Sequence, residues 1–277
     1  MELTIFSLFF MPFFYRAFMV LFVTGAAFPV LGTFILNLEL VPARFAVMHA
    51  ALLGGAIALL LGTNPLWTAM AASALAGILI AFISWKRKVS AGGLLGLVMT
   101  LSLGLAFIIF YKSNVQAVTA FNLFWGNILA LTKQDTVFAF VVTGVIIFFL
   151  LCAYKEIHIV LYDRDLARAV GVRAKLIYGG IILSVCLGVA VAMSITGALL
   201  IDAVTILPAL AAREIGKTFK SIIVWGVFFG IFMNMAGFAL SFALDLPVSP
   251  AIIVTGALIV FITRIITLLK ERRYAKL

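Results

Sequence analysis

Tyr154-Lys155-Glu156-Ile157-His158-Ile159-Val160-Leu161-Tyr162-Asp163-Arg164-Asp165-Leu166-Ala167-Arg168-Ala169-Val170-Gly171-Val172 is a charged strip in an otherwise apolar chain, and the side of the membrane it occupies decides the topology. Leu161, Leu166, Ala169 and Val170 recur at near-helical spacing with charges between them, which predicts a short amphipathic helix. Gly171 stands where a left-handed residue ends such a helix. Two readings fit the residues equally: a helix that docks on a partner, or one lying on the membrane surface with its arginines near lipid headgroups.

Outward from the strip the chain is too apolar for water. Of its 277 residues 65% are hydrophobic and 11% charged, against about half and a quarter in soluble domains. Only a bilayer accommodates that much apolar surface. A span needs about 20 mostly apolar residues. Nine segments qualify: Phe13–Leu36, Phe45–Leu61, Leu66–Trp85, Ala91–Phe110, Val137–Tyr154, Leu176–Ile195, Gly197–Ala212, Ser221–Leu244 and Pro250–Leu269. The seventh is short and carries Gly197 and Pro208. The expected fold is all-α, a polytopic transmembrane helical bundle forming a single domain over residues 1–277.

Direction follows from Lys and Arg, which accumulate in cytoplasmic loops. With the N-terminus outside, nine crossings and a cytoplasmic C-terminus, all of the 20 basic residues except Arg16, Lys112 and Lys133 fall on the inner side. Arg44 is counted there, in the turn that also holds Asn37 and Glu39. Ala117–Leu131 is apolar enough to be mistaken for a tenth crossing. If it crossed, the five basic residues between Lys155 and Lys175 would lie outside. It is therefore read as an interfacial or re-entrant helix, with Trp125 at headgroup level. The opening Met1-Glu2-Leu3-Thr4-Ile5 lacks a basic n-region, so the first helix is expected to stay and act as its own insertion signal. Pairs such as Gly54-Gly55 and Gly179-Gly180 permit close helix packing.

The formal net charge of +10 is accounted for by these scattered loop residues, not by a nucleic-acid surface. Cys152 and Cys186 lie in apolar segments without ligand-spaced neighbours and behave as small hydrophobes.

Three stretches together resemble the zinc/manganese/iron, or metal-type, ABC transporter permease family. Tyr162-Asp163-Arg164-Asp165-Leu166-Ala167-Arg168-Ala169-Val170-Gly171-Val172 is similar to its cytoplasmic loop, with Asp163, Ala167 and Gly171 on recurrent positions. Phe124-Trp125-Gly126-Asn127-Ile128-Leu129-Ala130 is similar to its outer-face segment. Thr196-Gly197-Ala198-Leu199-Leu200-Ile201-Asp202-Ala203, continuing to Ile206-Leu207-Pro208-Ala209 and Arg213, resembles its Gly-Ala-Leu-Leu…Pro-Ala…Ala-Arg segment. The likeness covers nearly the whole chain in order and spacing.

The resemblance implies a permease subunit of an ABC importer for a divalent transition metal or its chelate, in a prokaryotic plasma membrane. A second permease subunit, identical or not, would complete the pathway, and an extracytoplasmic metal-binding protein would deliver the substrate. The coupling helix, at about 157–172, would sit in a groove of a separate ABC ATPase through Tyr162, Asp163, Leu166, Ala167 and Gly171. ATP would be used by that subunit, and no cofactor is expected on this chain. Ala211-Ala212-Arg213-Glu214-Ile215-Gly216-Lys217-Thr218 matches a relaxed Walker A pattern. A membrane helix precedes it, not a strand, and its first Gly is Ala, so it reads as a basic turn.

His49 is the only histidine within a span, and intramembrane ionisable groups are functional candidates. Neutral imidazole is a transition-metal ligand. His49-Ala50 matches the His-Ala of the family's Gly-Asp-x-x-x-His-Ala-like pattern, while Arg44 and Phe45 replace its Gly and Asp. His49 is thus a candidate for metal contact, or alternatively a hydrogen-bonding residue between helices. Asp202, in the outer half of the seventh span, either lines the pathway or pairs with a buried polar group. At about 1.5 Å rise per residue, His49 falls near the inner end of its span, so the two are not expected to share one ion. Asp245 reads as a solvated turn residue. The competing function is an ion-gradient-driven secondary transporter, against which stand the coupling-like strip and the lack of an internal repeat. A membrane-embedded enzyme is disfavoured, because no His-x-x-x-His or paired-carboxylate arrangement occupies a span.

Overall fold

The computed structural model describes residues 11–85, 91–113 and 128–274. These form ten α-helices: α1 (Pro12–Asn37), α2 (Val41–Leu61), α3 (Pro65–Trp85), α4 (Ala91–Lys112), α5 (Lys133–Cys152), α6 (Tyr154–Tyr162), α7 (Arg164–Ala169), α8 (Ala174–Ile215), α9 (Phe219–Ala243) and α10 (Val248–Tyr274), with a 3-10 turn at Ile128–Ala130. Among the described residues there is no strand. Eight helices are long and apolar enough to cross a bilayer. The segment expected as a separate seventh span is the second limb of α8, which continues through a kink at Gly197 (φ 77, ψ 167). That backbone conformation is open essentially to glycine alone. A straight 42-residue helix would be about 63 Å long, roughly twice the bilayer's apolar thickness.

Helix ends follow local chemistry. Pro42 stands in the first helical turn of α2, where its missing N–H costs nothing. The helix therefore starts before Phe45 and takes in Arg44, which the sequence had assigned to a loop. Gly62 closes α2 in the left-handed region (φ 65). Thr132 and Asp135 form a reciprocal box at the start of α5: the Asp135 carboxylate accepts from the Thr132 amide at 2.9 Å, and the Thr132 hydroxyl accepts from the Asp135 amide at 3.2 Å. The Thr218 hydroxyl caps α9 by accepting from the Ser221 amide. Glu39 (φ 55) and Asp245 (φ 51) turn the chain between helices.

The chain groups into two compact units. The first holds most of α1, the 3-10 turn, the start of α5, the second limb of α8, α9 and α10. Here α1 and α9 run antiparallel. Phe14 stacks near Phe238 and Phe242 with centroids 4.9 and 5.0 Å away, and Pro29 lies against Gly226. Between these contacts the two backbones nearly touch, since a side chain at Gly230 would strike the Gly25 carbonyl and Pro29. Such approaches are how membrane helices gain van der Waals contact where lipid offers no hydrophobic drive. The Asn234 side-chain amide donates to the Leu21 carbonyl at 2.7 Å across the same pair. A side chain at Gly32 would collide with the Thr205 carbonyl, so α1 is equally close to the second limb of α8. Arg16 fastens the 3-10 turn region by donating to the Leu131 carbonyl at 2.8 Å.

The second unit holds α2, α3, α4, most of α5, α6, α7 and the first limb of α8. A side chain at Gly54 of α2 would meet Thr68 and Ala69 of α3, one at Gly77 of α3 would meet Cys186 of α8, and one at Gly180 of α8 would meet Phe149 of α5. Cys186 is a buried free thiol in that packing. Much of α4, α5 and α10 is exposed and apolar, as at Leu101, Phe107, Phe148, Leu258 and Phe261. That is the surface expected of lipid-facing helices. Residues 114–127, which include most of the expected interfacial helix, Trp125 and much of the Phe124–Ala130 segment, lie outside the described residues.

Candidate functional site

The strip after α5 is two helices, not the single one its periodicity predicts. Asp163 breaks it, with extended backbone (φ −153, ψ 123). The break has a chemical cause: the Asp163 carboxylate accepts hydrogen bonds from the amides of Asp165 (2.7 Å) and Leu166 (3.0 Å). It thereby satisfies donors that the first turn of α7 leaves open. At the other end Gly171 adopts φ +83, as its position predicts. The Val172 amide donates to the Ala167 carbonyl (2.9 Å) and the Gly171 amide to that of Arg168 (3.0 Å), the paired bonds of a Schellman ending. A six-residue helix is too short to persist by propensity, so these two caps are what define α7.

The strip is held to its own unit from one side. Ile157, Val160 and Ala167 are buried, Ala167 completely (0% exposed). The Arg164 guanidinium lies 4.1 Å above the Tyr178 ring, a cation–π contact to the first turns of α8. Arg168 pairs with Asp165 at 3.1 Å. The other side is open: Tyr162 is 82% exposed, and Leu166 and Val170 are exposed too. The five residues expected to contact an ATPase thus have distinct structural parts. Asp163 and Gly171 shape the element, Ala167 seats it, and Tyr162 and Leu166 face outward.

His49 lies in α2 and is 6% exposed, with its Nδ1 at 2.7 Å from the Phe45 carbonyl one turn back. Arg44, only 2% exposed, has its guanidinium 4.6 Å from the Phe45 ring centre. A buried cation and an aromatic ring thus stand where the family pattern has Gly and Asp. Asp202 is half-buried in the second limb of α8, five residues past the Gly197 kink. His49 and Asp202 belong to different units. Among the described residues no three His, Cys, Asp or Glu side chains converge in a way that would hold a metal ion.

The Walker-like stretch is the end of α8, a turn at Gly216-Lys217 and the Thr218 cap of α9. The helix-to-helix setting differs from the strand, Gly-rich turn and helix of a phosphate-binding loop. Asn234 is a further residue of note, outside the candidates drawn from sequence. Its signal was present: a lone amide in an apolar helix, four residues beyond Gly230 and three before Gly237.

Comparison with known proteins agrees with this architecture. The family model described as the ABC 3 transport family matches residues 10–267. The manganese transport system membrane protein MntC of Listeria monocytogenes is 26% identical over 240 residues, covering 86% of this chain and 85% of that protein. The high-affinity zinc uptake system membrane protein ZnuB of Haemophilus influenzae is 24% identical over 229 residues, 82% of this chain and 87% of that protein. A chain in the structure of PsaBC from Streptococcus pneumoniae in complex with Fab is 25% identical, with a TM-score of 0.82 over 94% of this chain and 93% of that one. The extent of the family match and eight apolar helices of spanning length lead to one conclusion: this chain belongs to the ABC 3 transport family of metal-type ABC permeases and is a multi-pass protein of the cell membrane.

Proposed function

We propose that the chain is the membrane-spanning subunit of an importer for a divalent transition metal such as manganese or zinc, driven by a separate ATPase that grips α7. The observation that carries this reading is a short helix capped at both ends, seated through Ala167 and exposing Leu166, with Tyr162 and Val170 exposed on either side of it. Apolar side chains on a pre-ordered element suit insertion into a groove, because ordering costs are met before binding. In this reading the strip faces the cytosol, the N-terminus lies outside and the C-terminus inside, as the distribution of Lys and Arg favours. An extracytoplasmic binding protein supplies the ion, and a second permease subunit shares the pathway. His49 contacts the substrate through an imidazole nitrogen, and Asp202 attracts it electrostatically.

Co-purification tests the reading. The affinity-tagged chain retains its ATPase subunit, while Asp163→Ala and Gly171→Trp weaken that retention with the amount of membrane-inserted chain unchanged. Retention unaffected by either substitution would remove α7 from the interface.

A further inference from the structure

We propose that the end of the first unit where α8 and α10 finish is a binding surface for anionic phospholipid headgroups, formed by Arg213, Lys217 and Lys220 around the α8–α9 turn and by Lys270 and Arg272 on α10. These two groups are some fifty residues apart in sequence, and side-chain contacts bring them together. Arg264 pairs with Glu214 at 2.9 Å, and the Thr267 hydroxyl donates to the Glu214 carbonyl at 3.1 Å. The finish of α8 is thereby held against the last turns of α10.

The same contacts engage one of the two acids at the patch, Glu214. With Glu214 taken by Arg264, five exposed cations face one remaining carboxylate, Glu271. The α6–α7 strip is different. There Glu156, Asp163 and Asp165 are interspersed with the basic residues, Arg168 is paired and Arg164 covers a ring. Cytoplasmic enrichment in Lys and Arg accounts for cations at both places. It does not account for their convergence at one of them with so little acidic compensation.

Depth also fits. Directly beneath the patch Ala211, Ala212 and Phe229 pack with Ile222, Ile259 and Val260, so the charges begin where the apolar layer ends. Lys270 and Arg272 lie three and five residues beyond Thr267, or about 5 and 8 Å along the helix. That range matches a headgroup layer of roughly 5–7 Å on each face. A phosphodiester presents oxygens that accept from guanidinium and ammonium donors together, and its acyl chains would lie along the exposed apolar face of α10.

The test uses the full chain with its ATPase, purified in detergent with equal phosphatidylglycerol and phosphatidylcholine, and counts retained lipids by native mass spectrometry. Wild type retains phosphatidylglycerol in preference. The triple variant Arg213→Gln/Lys217→Gln/Lys220→Gln lowers that retention about tenfold or more, given the attraction of each basic residue to an anionic surface. Lys270→Gln/Arg272→Gln, which leaves the α8–α9 turn intact, does so in part and serves if the triple variant fails to assemble. Equal retention of the two lipids by wild type would overturn the proposal. So would undiminished phosphatidylglycerol in the α10 variant, or a triple variant that keeps its lipid and sheds the ATPase, which would make the patch a protein contact.

Discussion

At the scale of single residues, a buried polar side chain in a membrane helix must find its partner within the protein, because lipid supplies none. Asn234 is fully buried (0% exposed), and its amide spans the α1–α9 crossing to Leu21. Interhelical hydrogen bonds in membranes average about 0.6 kcal/mol and reach about 1.7. Asn234→Ala also opens a cavity, so it lowers thermal stability by about 1–2 kcal/mol. Thermal unfolding of the purified chain checks this, and an unchanged midpoint would show that the bond contributes little. His49 was legible in the sequence because no other histidine lies in a span. His49→Ala lowers metal uptake by at least about tenfold if it removes a ligand, while membrane insertion and ATPase retention persist. Arg44 was not legible as a buried residue, because its burial depends on α2 beginning at Val41, earlier than its apolar run suggests. Asp163 matches a family position, but its role as the cap that divides the strip rests on its extended backbone, which the residue order leaves open because the same stretch also fits one continuous amphipathic helix.

At the scale of elements, two glycines carry conformations that other residues rarely adopt. Gly171 (φ +83) has open space around it, so Gly171→Ala meets no clash and costs about 1–2 kcal/mol from backbone strain alone. That is enough to fray a six-residue helix. Hydrogen–deuterium exchange shows the effect as faster exchange confined to about 163–172 and unchanged elsewhere. Gly197 (φ 77, ψ 167) lies in a region nearly exclusive to glycine, and Gly197→Ala costs about 2–3 kcal/mol. Expression of folded chain, followed by size-exclusion chromatography, falls accordingly. Normal yield and thermal midpoint would mean the kink tolerates another backbone. Eight spans were legible within a few residues, because a run of apolar residues long enough to cross lipid has few other uses. The fate of the Gly197–Ala212 segment was not legible. Gly197 and Pro208 announce irregularity, but nothing in the residue order says that the helix resumes directly past the glycine.

At the scale of the whole molecule, the question is what powers transport. The family and the apolar helices establish a membrane permease; the proposed account adds that α7 is where force from ATP hydrolysis enters. The basic strip and the family motifs made this reading available from sequence. Which side chains hold a metal was less accessible, because Arg44 and Phe45 interrupt the pattern beside His49 and no described cluster of ligands replaces it. Uptake of manganese and zinc into proteoliposomes tests the central claim directly, comparing the chain alone, the chain with its ATPase and binding protein, and the same assembly carrying Asp163→Ala in this chain. The account predicts metal accumulation only in the complete assembly, dependent on ATP hydrolysis and reduced at least about fivefold by the substitution, since loss of a cap costs about 1 kcal/mol. Accumulation by the chain alone under an ion gradient, indifferent to ATP, would contradict it.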